Sequence, residues 1–121
     1  MSAAFELHGV RILDCGTEGT PPRTAKDATD IIGAAWGYQA KLIVLRADWL
    51  GDDFFRLGTR VAGEVVQKLL DYGFRVAIVG DISARVAASE PLRDWVRECN
   101  RGRHIWFVKN MEDLADRLAP A

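Results

Sequence analysis

Residues 61–80 read VAGEVVQKLLDYGFRVAIVG. Val61, Ala62, Val65, Val66, Leu69 and Leu70 recur at helical spacing, which gathers them on one broad apolar face. Gly73 stands where a helix hands over to the next element. Arg75 to Val79 is then a short apolar run rich in branched residues, the pattern of a strand buried on both faces. A helix leading straight into such a strand is half of a parallel crossover unit, and that decides the fold class.

The same unit repeats on either side. Thr24 with Asp27 forms a capping box, and Ala28, Ile31, Ile32 and Ala35 continue a helix to about Gly37. Lys41 to Leu45 follows as a buried strand. Asp52 and Asp53 open the helix that runs on through Val61, their charge suiting its positive end. Downstream, Ser89 caps a helix with Pro91 in its first turn and Leu92, Trp95, Val96 and Cys99 on its inner face. Asn100 and Gly102 stop it before a strand at His104 to Val108. Asn110 with Asp113 caps a last helix carrying Met111, Leu114 and Leu118 inward, and Ala119 to Ala121 is a frayed tail.

Before the first helix, Phe5 to His8 and Val10 to Leu13 are two short strands about Gly9, either a tight hairpin or one bulged strand. Gly16 to Arg23, with Gly19, Pro21 and Pro22, is a loop. The expectation is an α/β fold: one domain over 1–121, a mixed but mostly parallel five-stranded sheet, and about four helices.

Composition narrows the function classes. The 121 residues suit a single domain, and 49% hydrophobic content can build a core without disulfides or metal. Sixteen basic residues against seventeen acidic ones leave a net charge of -1. That excludes the broad electrostatic footprint of a nucleic-acid binder. Arg101, Gly102, Arg103 and His104 make one small basic knot. The apolar runs are strand-length, so no membrane span is expected. Met1 to Phe5 lacks the charged-then-apolar pattern of a signal peptide. Cys15 and Cys99 make no disulfide framework, which fits a reducing, cytoplasmic setting.

In open α/β sheets ligands bind beyond the carboxyl ends of parallel strands. Those ends collect Arg46, Asp48, Trp49, Asp52, Asp53, Asp81, Ser83 and Lys109 on one expected rim, with Trp49 in a loop as an interface anchor. Helix starts attract Asp and Ser in any protein, so the rim has a purely structural reading beside the functional one. Glycine-rich nucleotide fingerprints are absent. His8 and His104 fall in expected strands, and no nucleophile is paired with a base. No catalytic residue, metal or cofactor is therefore assigned; Arg46 and Lys109 would neutralise the aspartates as readily as a cation. Trp36, Trp95 and Trp106 read as packing residues. Glu64 sits beside the apolar face, half buried, and Gly63 marks a close approach, best explained by a tight helix–sheet contact. Trp49, Phe54 and Phe55 cluster where a loop enters a helix and suggest a two-fold homodimer.

Four segments are more specific: Leu50-Gly-Asp-Asp-Phe-Phe-Arg-Leu, Ala62-Gly-Glu-Val-Val-Gln-Lys, Val76-Ala-Ile-Val-Gly-Asp-Ile-Ser, and Arg97-Glu-Cys-Asn-Arg-Gly-Arg-His-Ile-Trp-Phe-Val. Together they resemble the bacterial family called domain of unknown function 4180 over nearly the whole chain. Leu57-Gly58-Thr59-Arg60 departs from the family's pattern, with glycine and arginine exchanged about the threonine. The element order is also similar to the STAS fold of sulphate transporters and anti-sigma-factor antagonists. That likeness implies a non-enzymatic module that binds partner proteins. Members in sigma-factor switches carry a phosphorylatable hydroxyl where this chain has Gly51, Asp52 and Asp53, so a phospho-switch does not carry over. A receiver-like reading would use Asp14, Asp48, Ser83 and Lys109, but its acidic pair is missing. The favoured reading is a STAS-like regulatory or partner-binding module without catalytic activity. The alternative is a small-molecule or phosphoryl-handling enzyme using Asp48, Asp81, Ser83 and Lys109.

Overall fold

The computed structural model describes residues 2–120, so the start at Met1 and the end of the tail at Ala121 lie outside the described residues. Strands β1 (Ala3–Leu7), β2 (Val10–Asp14), β3 (Leu42–Arg46), β4 (Arg75–Val79) and β5 (Ile105–Val108) form one sheet in the order β1-β2-β3-β4-β5. β1 and β2 are an antiparallel hairpin. Its two-residue turn, His8 (φ 48°) and Gly9 (φ 80°), has both residues left-handed, which matches the strand twist and settles the hairpin against the bulge. From β2 onward every pairing is parallel, with Val44 opposite Ala77 and Ala77 opposite Trp106. The expected parallel neighbours β3, β4 and β5 are therefore adjacent, and β4 matches its expected bounds residue for residue.

Sequential strand order with crossovers of one hand stacks the connecting helices on one face. α1 (Ala25–Gly37), α2 (Ala47–Phe55), α3 (Val61–Asp71), α4 (Ser83–Ala88) and α5 (Glu90–Arg101) pack there. They bury Leu13, Ile43, Leu45, Val76, Ile78 and Phe107 under Ile32, Phe54, Val65, Leu69 and Leu92. The opposite face, with Ile12, Leu42, Val44, Ala77 and Trp106, is covered by α6 (Met111–Leu118) through Leu114. The caps read from sequence are in place. The Thr24 hydroxyl accepts from the Asp27 amide, Ser89 from Leu92 and Asn110 from Asp113.

Four expectations need correcting. The helix expected from Asp52 to Leu70 is broken. Gly51, at φ 78° and ψ -179°, kinks α2, and Arg60 at φ 67° separates it from α3. Between them lies a single 3-10 turn, Leu57–Thr59, where the Thr59 hydroxyl reaches the Asp53 and Arg56 carbonyls and accepts from the Val61 amide. A side chain that supplies backbone partners locally competes with the helix. Second, α4 is a short helix not expected from the sequence, and with the break between α2 and α3 it brings the expected four or so to six. Third, Trp49 lies within α2, not in a loop, and Trp36 is 59% exposed, stacked on Tyr72 instead of packed in the core. Fourth, neither histidine is in a strand. His8 is in the hairpin turn and His104 precedes β5, both exposed.

Candidate functional site

Because β2 to β5 run parallel, their carboxyl ends share one edge, and the residues that follow them are brought onto it. At its centre, Arg46 leaves β3 and meets Asp14 at the end of β2. Arg46 Nη2 lies 2.5 Å from Asp14 Oδ2, and Nε donates to Oδ1 at 3.3 Å. The two-pronged hydrogen bond to Asp14 holds the Arg46 guanidinium above its ordinary pKa, against the opposing effect of burial. Asp14 also accepts from the Gly16 amide at 2.9 Å. Its carboxylate is thus already partnered. Around this pair lies a concavity of about 430 Å3, lined by Asp14, Arg46, Asp48, Gly80, Lys109 and Asn110.

Beside it, Asp81 Oδ1 accepts from the Ser83 amide at 3.0 Å and its hydroxyl at 2.7 Å. These two bonds, with a smaller contribution from the Lys109 charge, lower the Asp81 pKa. The same bonds turn the chain into α4, which makes Asp81-Ile82-Ser83 the local signal for the helix that periodicity missed. Asp81, Ser83 and Lys109 border a smaller hollow of about 230 Å3 with Val96 and Phe107.

The other expected rim residues are drawn elsewhere. Asp53 pairs with Arg23, and Asp52 with Arg85 at 2.8 Å. Arg85 also lies over the Phe55 ring. Trp49 donates from Nε1 to the Gly19 carbonyl at 3.0 Å, pinning the Gly-Pro loop onto α2. Phe54 and Phe55 are buried, in edge-to-face contact within the chain's own core. The aromatic cluster that suggested a two-fold contact is therefore interior at both phenylalanines. Of the receiver-like set, Asp14, Asp48 and Lys109 share one concavity and Ser83 stands outside it. Among the described residues, no three His, Cys, Asp or Glu side chains gather as a metal site.

Sequence reasoning missed a large apolar concavity. α3 packs against α1 rather than closely against α5. The gap leaves a groove of about 640 Å3 lined by Leu57, Ala62, Val66, Leu70, Trp95 and Ile105, with Arg60 and Glu64 at its edge. Gly63 belongs to this groove. A Cβ built on it would meet nothing within 4 Å, so the tight helix–sheet contact expected there is absent, and Glu64 is exposed rather than half buried. The sequence signal was present: a glycine in mid-helix weakens it by about 1 kcal/mol relative to alanine, and here it opens a surface.

A family model described as domain of unknown function (DUF4180) matches residues 7–118. The chain belongs to this family. The DUF4180 match spans the hairpin turn, every crossover unit and all of α6, so the rim and the groove both fall inside it. No curated protein and no solved structure matches the DUF4180 chain. In this DUF4180 member the Gly58-Thr59-Arg60 segment is the turn before α3, where Arg60 takes the left-handed conformation that glycine would adopt more readily. Among the described residues, no helix is long and apolar enough to cross a membrane.

Proposed function

We propose that this protein is a small cytoplasmic regulatory module of STAS-like type that works by binding a protein partner rather than by catalysis. One observation carries this reading. The charged rim is divided among intrachain pairs, Asp14–Arg46, Asp53–Arg23 and Asp52–Arg85, while the α3–α5 groove is apolar. Catalysis requires groups aimed at one shared atom. Binding requires shape, apolar area and a few polar contacts at the edge. The paired strands at the start, followed by strand–helix alternation, support the STAS-like comparison.

The partner would lie along the helical face at the α3–α5 groove, with Asp81 and Ser83 of the rim as polar contacts. Gly63→Trp fills the groove without touching the core, because the space over Gly63 is open. Capture of a partner from lysate should be lost with Gly63→Trp and weakened by charge reversal at Asp81, with the fold intact in both. Turnover of a metabolite in a broad substrate screen, abolished by Asp81→Asn in folded protein, would establish the enzyme reading instead.

A further inference from the structure

At the opposite, amino edge of the sheet, two arginine side chains lie over one indole, and the backbone of a third arginine adjoins them. The Arg75 guanidinium, from the start of β4, lies 4.6 Å from the Trp106 ring centroid, and that of Arg117, from α6, lies 5.2 Å from it. The turn between α5 and β5 is held to the same group by its carbonyls. Arg117 Nη1 donates to Asn100 O at 3.1 Å, Trp106 Nε1 to Gly102 O at 2.9 Å and Arg75 Nε to Arg103 O at 2.8 Å. These bonds anchor the turn, with the Arg103 carbonyl on the Arg75 guanidinium and Arg103 itself exposed. The basic knot of the sequence is therefore larger in space than along the chain.

Five carboxylates form ion pairs elsewhere. Ion pairs join Asp14 to Arg46, Asp52 to Arg85, Asp53 to Arg23, Asp94 to Arg97 and Glu98 to Arg101. Among the described residues, none forms with Arg75, Arg103 or Arg117. Burial first, and the Arg103 charge second, hold the Arg75 guanidinium below its ordinary pKa. A chain with net charge -1 thus keeps these cations outside its ion pairs among the described residues.

We propose that Arg75, Arg103 and Arg117 form a binding site for a phosphate dianion, separate from the rim and from the groove. Guanidinium forks match phosphate oxygens, and stacking on Trp106 pre-orients two of the three, so little freedom is lost on binding. A single carboxylate brings one negative charge, whereas a phosphate monoester brings about 1.5–2 and three strong acceptors, which suits three cations better. The phosphate can come from a phosphorylated side chain of a partner or from a free phosphorylated metabolite.

The test follows the Trp106 indole N–H by NMR at constant ionic strength, with inorganic phosphate, a capped phosphoserine and ribose 5-phosphate as titrants. A saturable shift with half-saturation of about 1 mM is expected. Arg103→Glu should weaken it at least about tenfold and Arg103→Lys less, since lysine keeps the charge but not the fork. Tighter binding of phosphoserine assigns a phosphorylated partner, tighter binding of ribose 5-phosphate assigns a metabolite, and equality assigns the phosphate alone. Should Arg103→Glu fail to fold, Arg103→Gln carries the same expectation. Absence of saturation up to about 20 mM phosphate, an equal shift with chloride, or unchanged binding by the folded Arg103 variants would overturn the proposal.

Discussion

Gly80, at the end of β4, lies so close to Ala47 at the start of α2 that a Cβ on it would stand 2.7 Å from the Ala47 Cβ. Its φ of 151° is also one that residues with side chains rarely adopt. The contact brings α2 against the carboxyl edge, where Gly80 lines the cavity around Arg46. Gly80→Ala should therefore destabilise the fold by about 1–3 kcal/mol or more, combining overpacking with backbone strain. Urea denaturation measures this, and a loss near zero would mean that α2 can slide away freely.

Leu69 is fully buried beneath the sheet-facing side of α3. Leu69→Ala should cost about 2–5 kcal/mol, the transfer term plus the cavity left behind. Chemical denaturation with an unchanged m-value is the expected form of the result.

β5 is an edge strand, and one of its outward amides is already taken: Phe107 N–H donates to Asn100 Oδ1 at 2.8 Å. Asn100→Ala removes that acceptor, at a cost of about 1–3 kcal/mol for a part-buried amide left without a partner. It also opens a strand edge to other chains. Light scattering should show concentration-dependent association of the variant at concentrations where the parent does not scatter.

Both thiols are displaced upward. Burial, and then the neighbouring Asp14 charge, push Cys15 to about 12, and burial with Glu98 pushes Cys99 to about 11, against an ordinary value of 9.0. The unfolded chain gives up these protons from about pH 9, while the folded chain keeps them. Stability should hold below pH 9 and fall between about pH 9 and 12, by up to about 1.4 kcal/mol per pH unit from Cys15 and less from the more accessible Cys99. Urea midpoints across that range should drop less steeply in Cys15→Ala. A slope unaltered by the substitution would place the alkaline transition on other groups.

Much of the fold was legible because it rests on signals that act locally. The branched run of β4, the apolar stripe of α3 and the Thr24, Ser89 and Asn110 caps each depend on residues a few positions apart. What escaped depends on distance in space. The Asp14–Arg46 pair needs the β2–β3 register, which places Asp14 opposite Val44, two residues before Arg46. The α3–α5 groove depends on how far apart two crossovers lie, and neither helix's own periodicity carries that. Trp36 shows the reverse error: its bulk suggests a core residue, yet α1 ends one residue later and leaves the ring outside, against Tyr72. The rim residues share an edge because the parallel strands end there, whereas the ion pairs that Arg46, Asp52 and Asp53 form are decided by side-chain reach.

The sequential strand order also bears on how the chain reaches this structure. Each strand from β2 onward lies beside the one that precedes it in the chain, so every added crossover closes a loop of only one or two helices. Folding can then grow outward from one helix–strand seed, and the α3–β4 segment next to β3 has the strongest local pattern to serve as that seed. Truncations along α3 and β4 should slow refolding, whereas truncations in the β1–β2 hairpin should mainly speed unfolding.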